Sequence, residues 1–188
     1  MQLILIRHGE PDPAQAEELG FVGHGRDFAP LSPEGIRQAE EAAHSPLLTG
    51  CELILTSPYT RAMQTAAIIS RRTGLPLAVE AALHEWLPDK TFRIRTREDV
   101  QRLWQDFLAC KGHYPSGETR DWEEIDSIVR RMDPVLRHYH GQGWSRIALV
   151  IHGGLIRRLT GEAEVAYCQP REVTFSPGYA YTGWVDAQ

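Results

Sequence analysis

Short apolar runs that stop at turn residues alternate along the chain with longer stretches of helical period. The first run, Leu3 to Ile6, ends abruptly at Arg7, His8 and Gly9, and a similar run, Ile147 to Ile151, ends at His152, Gly153 and Gly154. Runs apolar on both faces and bounded by turn residues predict buried strands, here over 3–6, 52–57 and 146–151, with a further candidate over 75–80. Between them the apolar period lengthens. A helix is expected from Ser32, with Ser32 at the N-cap and Pro33 at the first helical position, through "PEGIRQAEEAAHSPLL". Others are expected over "PYTRAMQTAAIISRRTG", stopping at Gly74, over "REDVQRLWQDFLACKG", and over "RDWEEIDSIVRRMDPVLRHYHGQG". Pro134 should kink or split the last of these, because proline removes a helical donor and clashes with the preceding turn.

A further helix should start at about Gly153, and "EVTFSPGYAYTGWVD" suggests one or two terminal strands. Residues 10–31, rich in Pro, Gly and charge, read as a long surface loop. Strands alternating with helices define an α/β protein, expected as a three-layer α/β/α arrangement around a mostly parallel central sheet. No linker, repeat or low-complexity tract interrupts the pattern, so residues 1–188 read as a single domain.

Charge narrows the choice of partner. The chain carries 20 Lys and Arg against 25 Asp and Glu, a net charge of −5, which argues against a nucleic-acid binder with its broad basic footprint. A small anionic substrate is still compatible, because a few arginines in one pocket act locally against the global sign. Three scattered cysteines, Cys51, Cys110 and Cys168, form neither a disulfide framework nor a zinc motif and suit a reducing compartment. The apolar N-terminal run is too short for a signal peptide, and no run approaches a membrane span, so a cytoplasmic protein with no membrane partner is expected. Oligomeric state is left open.

In open α/β sheets the working site lies beyond the carboxyl ends of the strands. Arg7, His8 and His152 sit directly after predicted strands, Arg61 lies one helical turn past Ser57, and Glu85 follows the third candidate strand. Two arginine forks and the N–H groups of a helix starting at Gly153 suit a tetrahedral dianion. A neutral histidine can carry a phosphoryl group covalently, and a carboxyl can protonate the leaving oxygen and then activate water. The second histidine, beside a dianion, should be cationic, and Gly9 and Gly153 should keep the backbone clear of the phosphate. Positioning and charge suffice for such chemistry, so neither metal nor cofactor is expected.

In that order along the chain, "LILIRHGE", "GHGRDFAPLSPEGIRQAE", "LTSPYTRAMQTA", "LHEW", "SGET" and "VIHGGLIRRL" resemble the signature segments of the histidine phosphatase superfamily, the phosphoglycerate mutase-like proteins. The resemblance covers most of the chain. It implies His8 as nucleophile, Arg7, Arg61, His152 and Gly153 around the phosphoryl group, and Glu85 as proton donor, on a small phosphorylated substrate. Pro11-Asp12-Pro13 stands where the family often has a Ser/Thr-x-x-Asn stretch, and "WLPDK" replaces its Gly-x-Trp-Glu-Gly segment. The chain is also shorter than typical cofactor-dependent mutases, which favours a phosphatase over a mutase. A non-catalytic phosphate-binding module is the alternative from another class.

Blander readings stand beside these. Glu80 or Asp89 could replace Glu85 if the loop runs differently, and "RIRTR" (Arg93, Arg95, Arg97) reads better as an exposed edge or helix start than as a substrate contact. His24, His84 and His113 read as surface histidines, and Trp86, Trp104 and Trp122 as core or interface, though Trp86 beside Glu85 could line the pocket. Specificity is expected in the loops over 11–30, 86–97 and 112–119.

Overall fold

The computed structural model describes residues 1–182, and the end of the terminal segment, Gly183 to Gln188, lies outside the described residues. Five strands form the sheet: β1 (Gln2–Arg7), β2 (Leu53–Thr56), β3 (Leu77–Val79), β4 (Arg146–Ile151) and β5 (Arg171–Thr174). Their order is β3-β2-β4-β1-β5, parallel except for β5, which runs antiparallel to β1. The register sets Arg7 beside Ile151, and Thr56 beside Val150, so β2, β4 and β1 end side by side.

Alternation along the strands builds the layers. Leu3, Leu5, Leu55 and Leu149 face one side, where they meet Ile128, Met132 and Leu136 of α5 (Ile125–Gly141) and Leu155 and Leu159 of α6 (Gly153–Thr160). Ile4, Ile6, Ile54 and Val150 face the other, against Ala39 and Ala42 of α2 (Pro33–Ala42) and Ala62, Ala66 and Ile69 of α3 (Thr60–Thr73). With both faces buried, the expected three-layer α/β/α architecture follows from the inner strands β1, β2 and β4, whose central residues are all apolar. α4 (Arg97–Ala109), capped by a reciprocal Thr96–Asp99 box, forms a satellite cluster with Trp122 and Ile125. No helix among the described residues is long and apolar enough to cross a membrane.

Ser32 caps α2 by accepting from the Gly35 N–H at 3.0 Å, and Gly74 ends α3 in the left-handed conformation with φ 75°. Elsewhere the chain departs from expectation. The segment 10–31 is not a plain loop: it holds a short helix, α1 (Ala14–Glu18), anchored by buried Ala16, and a 3-10 turn over Gly23–Phe28. α2 stops at Ala42, and a separate 3-10 turn starts at Pro46. α5 begins at Ile125 rather than Arg120, because Trp122 and Glu123 turn inward. It also runs unbroken through Pro134, which lies on the exposed face while the opposite stripe Ile128, Met132 and Leu136 is fully buried. Arg130, whose carbonyl loses its helical donor to Pro134, is exposed as well, and burial of the stripe outweighs the loss of that bond. The tail contributes one strand, β5, and no second strand before Thr182.

Candidate active site

β1 delivers Arg7 and His8 to the carboxyl edge, and neighbouring β4 delivers His152, which stands at the N-cap of α6. β2 leads through Ser57 into α3, whose first turn carries Arg61. Glu85 arrives by the 3-10 turn Ala81–Leu83 after β3. All of the predicted site residues thus converge on one edge.

His8 is 4% exposed, and its Nδ1 lies 2.7 Å from the carbonyl oxygen of Gly9. A carbonyl only accepts, so Nδ1 carries the proton and Nε2 bears the lone pair. The Arg61 Nε–H donates to that Nε2 at 3.2 Å. Burial, reinforced by the Arg61 and Arg7 charges, overrides the Gly9 hydrogen bond and lowers the His8 pKa to about 3. His8 is consequently neutral at physiological pH, with a defined tautomer whose one lone pair, on Nε2, is held by Arg61 until a phosphoryl group draws that guanidinium away.

The His152 ring meets that of His8 edge-on with centroids 5.1 Å apart, and its Nε2 shares a hydrogen bond of 2.7 Å with Ser57 Oγ. Burial, then the cations around it, hold His152 well below its ordinary pKa. Without a ligand the protein keeps His152 neutral, and the cationic form expected beside a dianion depends on the charge that the dianion itself supplies. Buried His152 Nδ1 and Arg7 Nε have no hydrogen-bond partner among the described residues, so both are available to a ligand. The Arg7 guanidinium is placed by the Val165 carbonyl at 2.7 Å and by the face of Tyr167 at 4.0 Å.

Glu85 accepts from the Trp86 N–H at 2.9 Å through one oxygen and from the Gly154 N–H at 3.3 Å through the other. The first turn of α6 is thereby tied to the carboxylate. The rival carboxylates are engaged elsewhere: Glu80 accepts from Tyr139, and buried Asp89 from its own loop.

Gly9 departs from expectation and Gly153 does not. A Cβ on Gly9 would stand 2.5 Å from the Gly35 carbonyl oxygen, so Gly9 is needed for the approach of its loop to α2, not for room around a phosphate. A Cβ on Gly153 would meet nothing nearer than Arg7 Nε at 3.8 Å, and there the space is open on the site side.

Several contributors escaped sequence reasoning. Thr65 accepts from the Gly9 N–H at 3.0 Å and donates to the Arg61 carbonyl, fixing the His8 loop to α3. Arg131 and Glu123 form a bidentate pair at 2.7 and 3.1 Å, with side chains 15% and 6% exposed. Arg131 also donates to the carbonyls of Ala82 and Glu85, and Glu123 accepts from the Leu87 N–H, so the pair grips both sides of Glu85. Asp27 holds Arg61 at 3.0 Å and lies 3.6 Å from His24.

Three clefts open on this edge. One of about 190 Å³ lies between Arg7, Glu85, Trp86 and Gly153, and one of about 240 Å³ includes Arg61, Glu85, Asp27 and Tyr59. The largest, about 560 Å³, shares His24, Asp27 and Tyr59 with the second. His24 and His84, read from sequence as surface residues, line it; His113 is exposed and pairs with Asp126. Trp86 lines the two smaller clefts, Trp122 is core, and Arg97 opens α4. Residues 11–30 and 86–97 contribute to these walls, whereas 112–119 do not.

A doubly covered parallel sheet that ends in two histidines, two arginines and a carboxylate defines a phosphoryl-handling α/β protein. The sequence pattern of the histidine phosphatase superfamily (branch 1) matches residues 3–173, and the chain belongs to that family. The Proteus mirabilis protein named probable phosphoglycerate mutase GpmB is 27% identical over 158 residues, covering 81% of this chain and 70% of that one. Among solved structures, the alpha-ribazole phosphatase from Shigella flexneri superposes with TM-score 0.67 and 25% identity over 96% of this chain and 94% of that one. A mycobacterial glucosyl-3-phosphoglycerate phosphatase shares the fold with TM-score 0.70 and 22% identity, again covering 96% and 94%.

Proposed function

We propose that the protein is a metal-independent phosphomonoesterase that hydrolyses a small organic phosphate through a phosphohistidine on His8. The observation that carries this reading is the His8 ring: buried, neutral, proton on Nδ1, and lone pair on the Nε2 that faces Arg61. His8 Nε2 attacks phosphorus, the P–N bond forms and the bond to the alcohol oxygen breaks, with Glu85 in its acid form giving that oxygen a proton. Glu85 as carboxylate then takes a proton from water, which attacks phosphorus and breaks the P–N bond to release phosphate. Arg7, Arg61, His152 Nδ1 and the Gly153 turn surround the phosphoryl oxygens, where fixed cations and donors stabilise the charge of the transition state.

The relationship to the Shigella alpha-ribazole phosphatase supports hydrolysis, and the Proteus relative's name supports a mutase as the second reading. A phosphoglycerate mutase must return the phosphoryl group to a carboxylate-bearing substrate; the largest cleft has no arginine or lysine in its lining, whereas the smaller clefts beside Glu85 include Arg26, Arg97 and Arg157. Net phosphate release measured against isomerisation of phosphoglycerate separates the two. The direct test is hydrolysis of para-nitrophenyl phosphate with EDTA present, wild type against His8→Ala. The reading predicts turnover in EDTA and its loss in the variant; undiminished turnover by His8→Ala contradicts the mechanism, and abolition by EDTA contradicts its metal independence.

A further inference from the structure

We infer that the cleft of about 560 Å³ is the leaving-group subsite and that it takes an uncharged, largely apolar alcohol, such as one bearing an aromatic ring, rather than a sugar acid or another carboxylate. The inference rests on the phosphomonoesterase reading above. Its volume lies in the range of small-molecule pockets. It is continuous with the phosphoryl-binding residues, because His24, Asp27 and Tyr59 belong also to the neighbouring cleft that contains Arg61 and Glu85. An alcohol leaving past Glu85 therefore departs into it.

The lining sets the chemistry. Phe28, Tyr59, Leu87 and Phe92 supply the walls, with no lysine or arginine among the lining residues. The charges present are spent on each other: Asp27 pairs with Arg61 at 3.0 Å and lies 3.6 Å from His24. Burial, and then Arg131, lower the pKa of His84. A carboxylate placed there would lose hydration without gaining a free cation.

Two rings stand unusually open for their type, Phe28 at 66% and Phe92 at 63%. Phe92 is also held at φ 57°, a left-handed conformation that a bulky residue rarely adopts. The turn is imposed by buried Asp89, whose carboxylate accepts from the N–H groups of Thr91, Arg93 and Ile94 at 2.7, 2.6 and 2.9 Å. The Asp89 carbonyl in turn accepts from His24 Nε2 at 2.8 Å, and the His24 ring lies 4.4 Å from that of Phe92. A strained turn that props a phenyl ring in water at the wall of a cleft, and links through His24 and Asp27 to Arg61, fits a surface built to receive apolar matter.

The test uses phosphonates, whose C–P bond the enzyme does not cleave. Calorimetry compares 3-phenylpropylphosphonate, propylphosphonate and 3-carboxypropylphosphonate on wild type, Phe92→Ala and Phe28→Ala. The phenyl compound should bind about tenfold or more tighter than propylphosphonate, and the carboxylate no tighter than propylphosphonate. Either Phe→Ala change should remove most of the phenyl gain and leave the propylphosphonate Kd within about twofold. Equal Kd values for phenyl and propyl, or a tighter carboxylate, overturn the inference. So does a dimer that Phe92→Ala dissociates when the Kd values are equal, which would assign the rings to a second copy. Turnover of the matching phosphate esters separates the two layers. Binding selectivity without turnover of either ester sinks the hydrolase reading and keeps the subsite; turnover of both without selectivity does the reverse.

Discussion

Replacing Arg131 with Met removes a guanidinium from a site where it satisfies four oxygen atoms: two of Glu123 and the carbonyls of Ala82 and Glu85. The Glu123 side chain is only 6% exposed, so its charge is left buried without a counter-ion. Breaking a buried pair from one side costs about 3–5 kcal/mol, and the lower end applies here because Glu123 keeps the Leu87 N–H. For a chain of this size, about 3 kcal/mol corresponds to a Tm lower by about 6–12 °C. The double change Arg131→Met with Glu123→Gln removes the stranded charge and keeps an acceptor for Leu87, so it should cost less, about 1 kcal/mol. Urea denaturation of the four proteins completes the cycle. Catalysis supplies a second readout, because the same pair fixes the backbone on either side of Glu85. With Glu85 displaced, hydrolysis of propyl phosphate should slow by about 10–100-fold. Compared by kcat/KM, which reports phosphoryl transfer to His8 and not the later attack of water, para-nitrophenyl phosphate, whose leaving group departs without a proton, should slow far less. Wild-type stability for Arg131→Met, or an equal loss on both substrates, would refute the reasoning.

Two further outcomes follow from the same geometry. Gly9→Ala should destabilise the fold by about 3 kcal/mol, since its Cβ would stand 2.5 Å from a backbone oxygen, whereas Gly153→Ala should fold with an unchanged denaturation midpoint and lose phosphate affinity. Denaturation and phosphate titration of both variants decide this; a stable, active Gly9→Ala contradicts it. The His8 pKa, lowered from 6.5 to about 3, also makes stability depend on pH. Below pH 6.5 the unfolded chain binds a proton that folded His8 refuses, so this contribution is complete above pH 6.5 and is lost as pH falls towards 3. Well below pH 6.5 each such histidine gives a slope approaching about 1.4 kcal/mol per pH unit; His152 and His84 add in the same direction, and His24, whose pKa is raised beside Asp27, opposes them. Unfolding free energies from urea titration should fall between pH 6 and pH 5, and His8→Gln should make that fall shallower; an equal slope in the variant contradicts the assignment.

What the sequence made legible was whatever is encoded locally. β1 and β4 are apolar on both faces, so their burial and their ends at Arg7 and at His152 are readable without a partner strand. Ser32 and Gly74 mark helix ends for the same reason. α1 was hidden because five polar-rich residues carry no period; buried Ala16 holds it to the neighbouring turn. The unbroken α5 required knowing that Pro134 falls on the wet face. Gly9 looked like phosphate clearance because its neighbour Gly35 is distant in sequence. Arg131 and Glu123 were invisible as a pair, since only the packing of α5 against the Glu85 segment gives them a shared task. Asp27 and His24 lay in an unstructured-looking stretch, and their link to Arg61 exists only in three dimensions.

The central claim is the covalent intermediate on His8, and trapping it tests the account most directly. Rapid quenching of the enzyme with a phosphate ester labelled in its phosphoryl group, followed by peptide mapping, should locate one labelled phosphoryl group on His8. The label should survive alkali, be lost in acid, and be absent from His8→Ala. Turnover with no trapped label on His8, or an acid-stable label on another residue, would contradict the account.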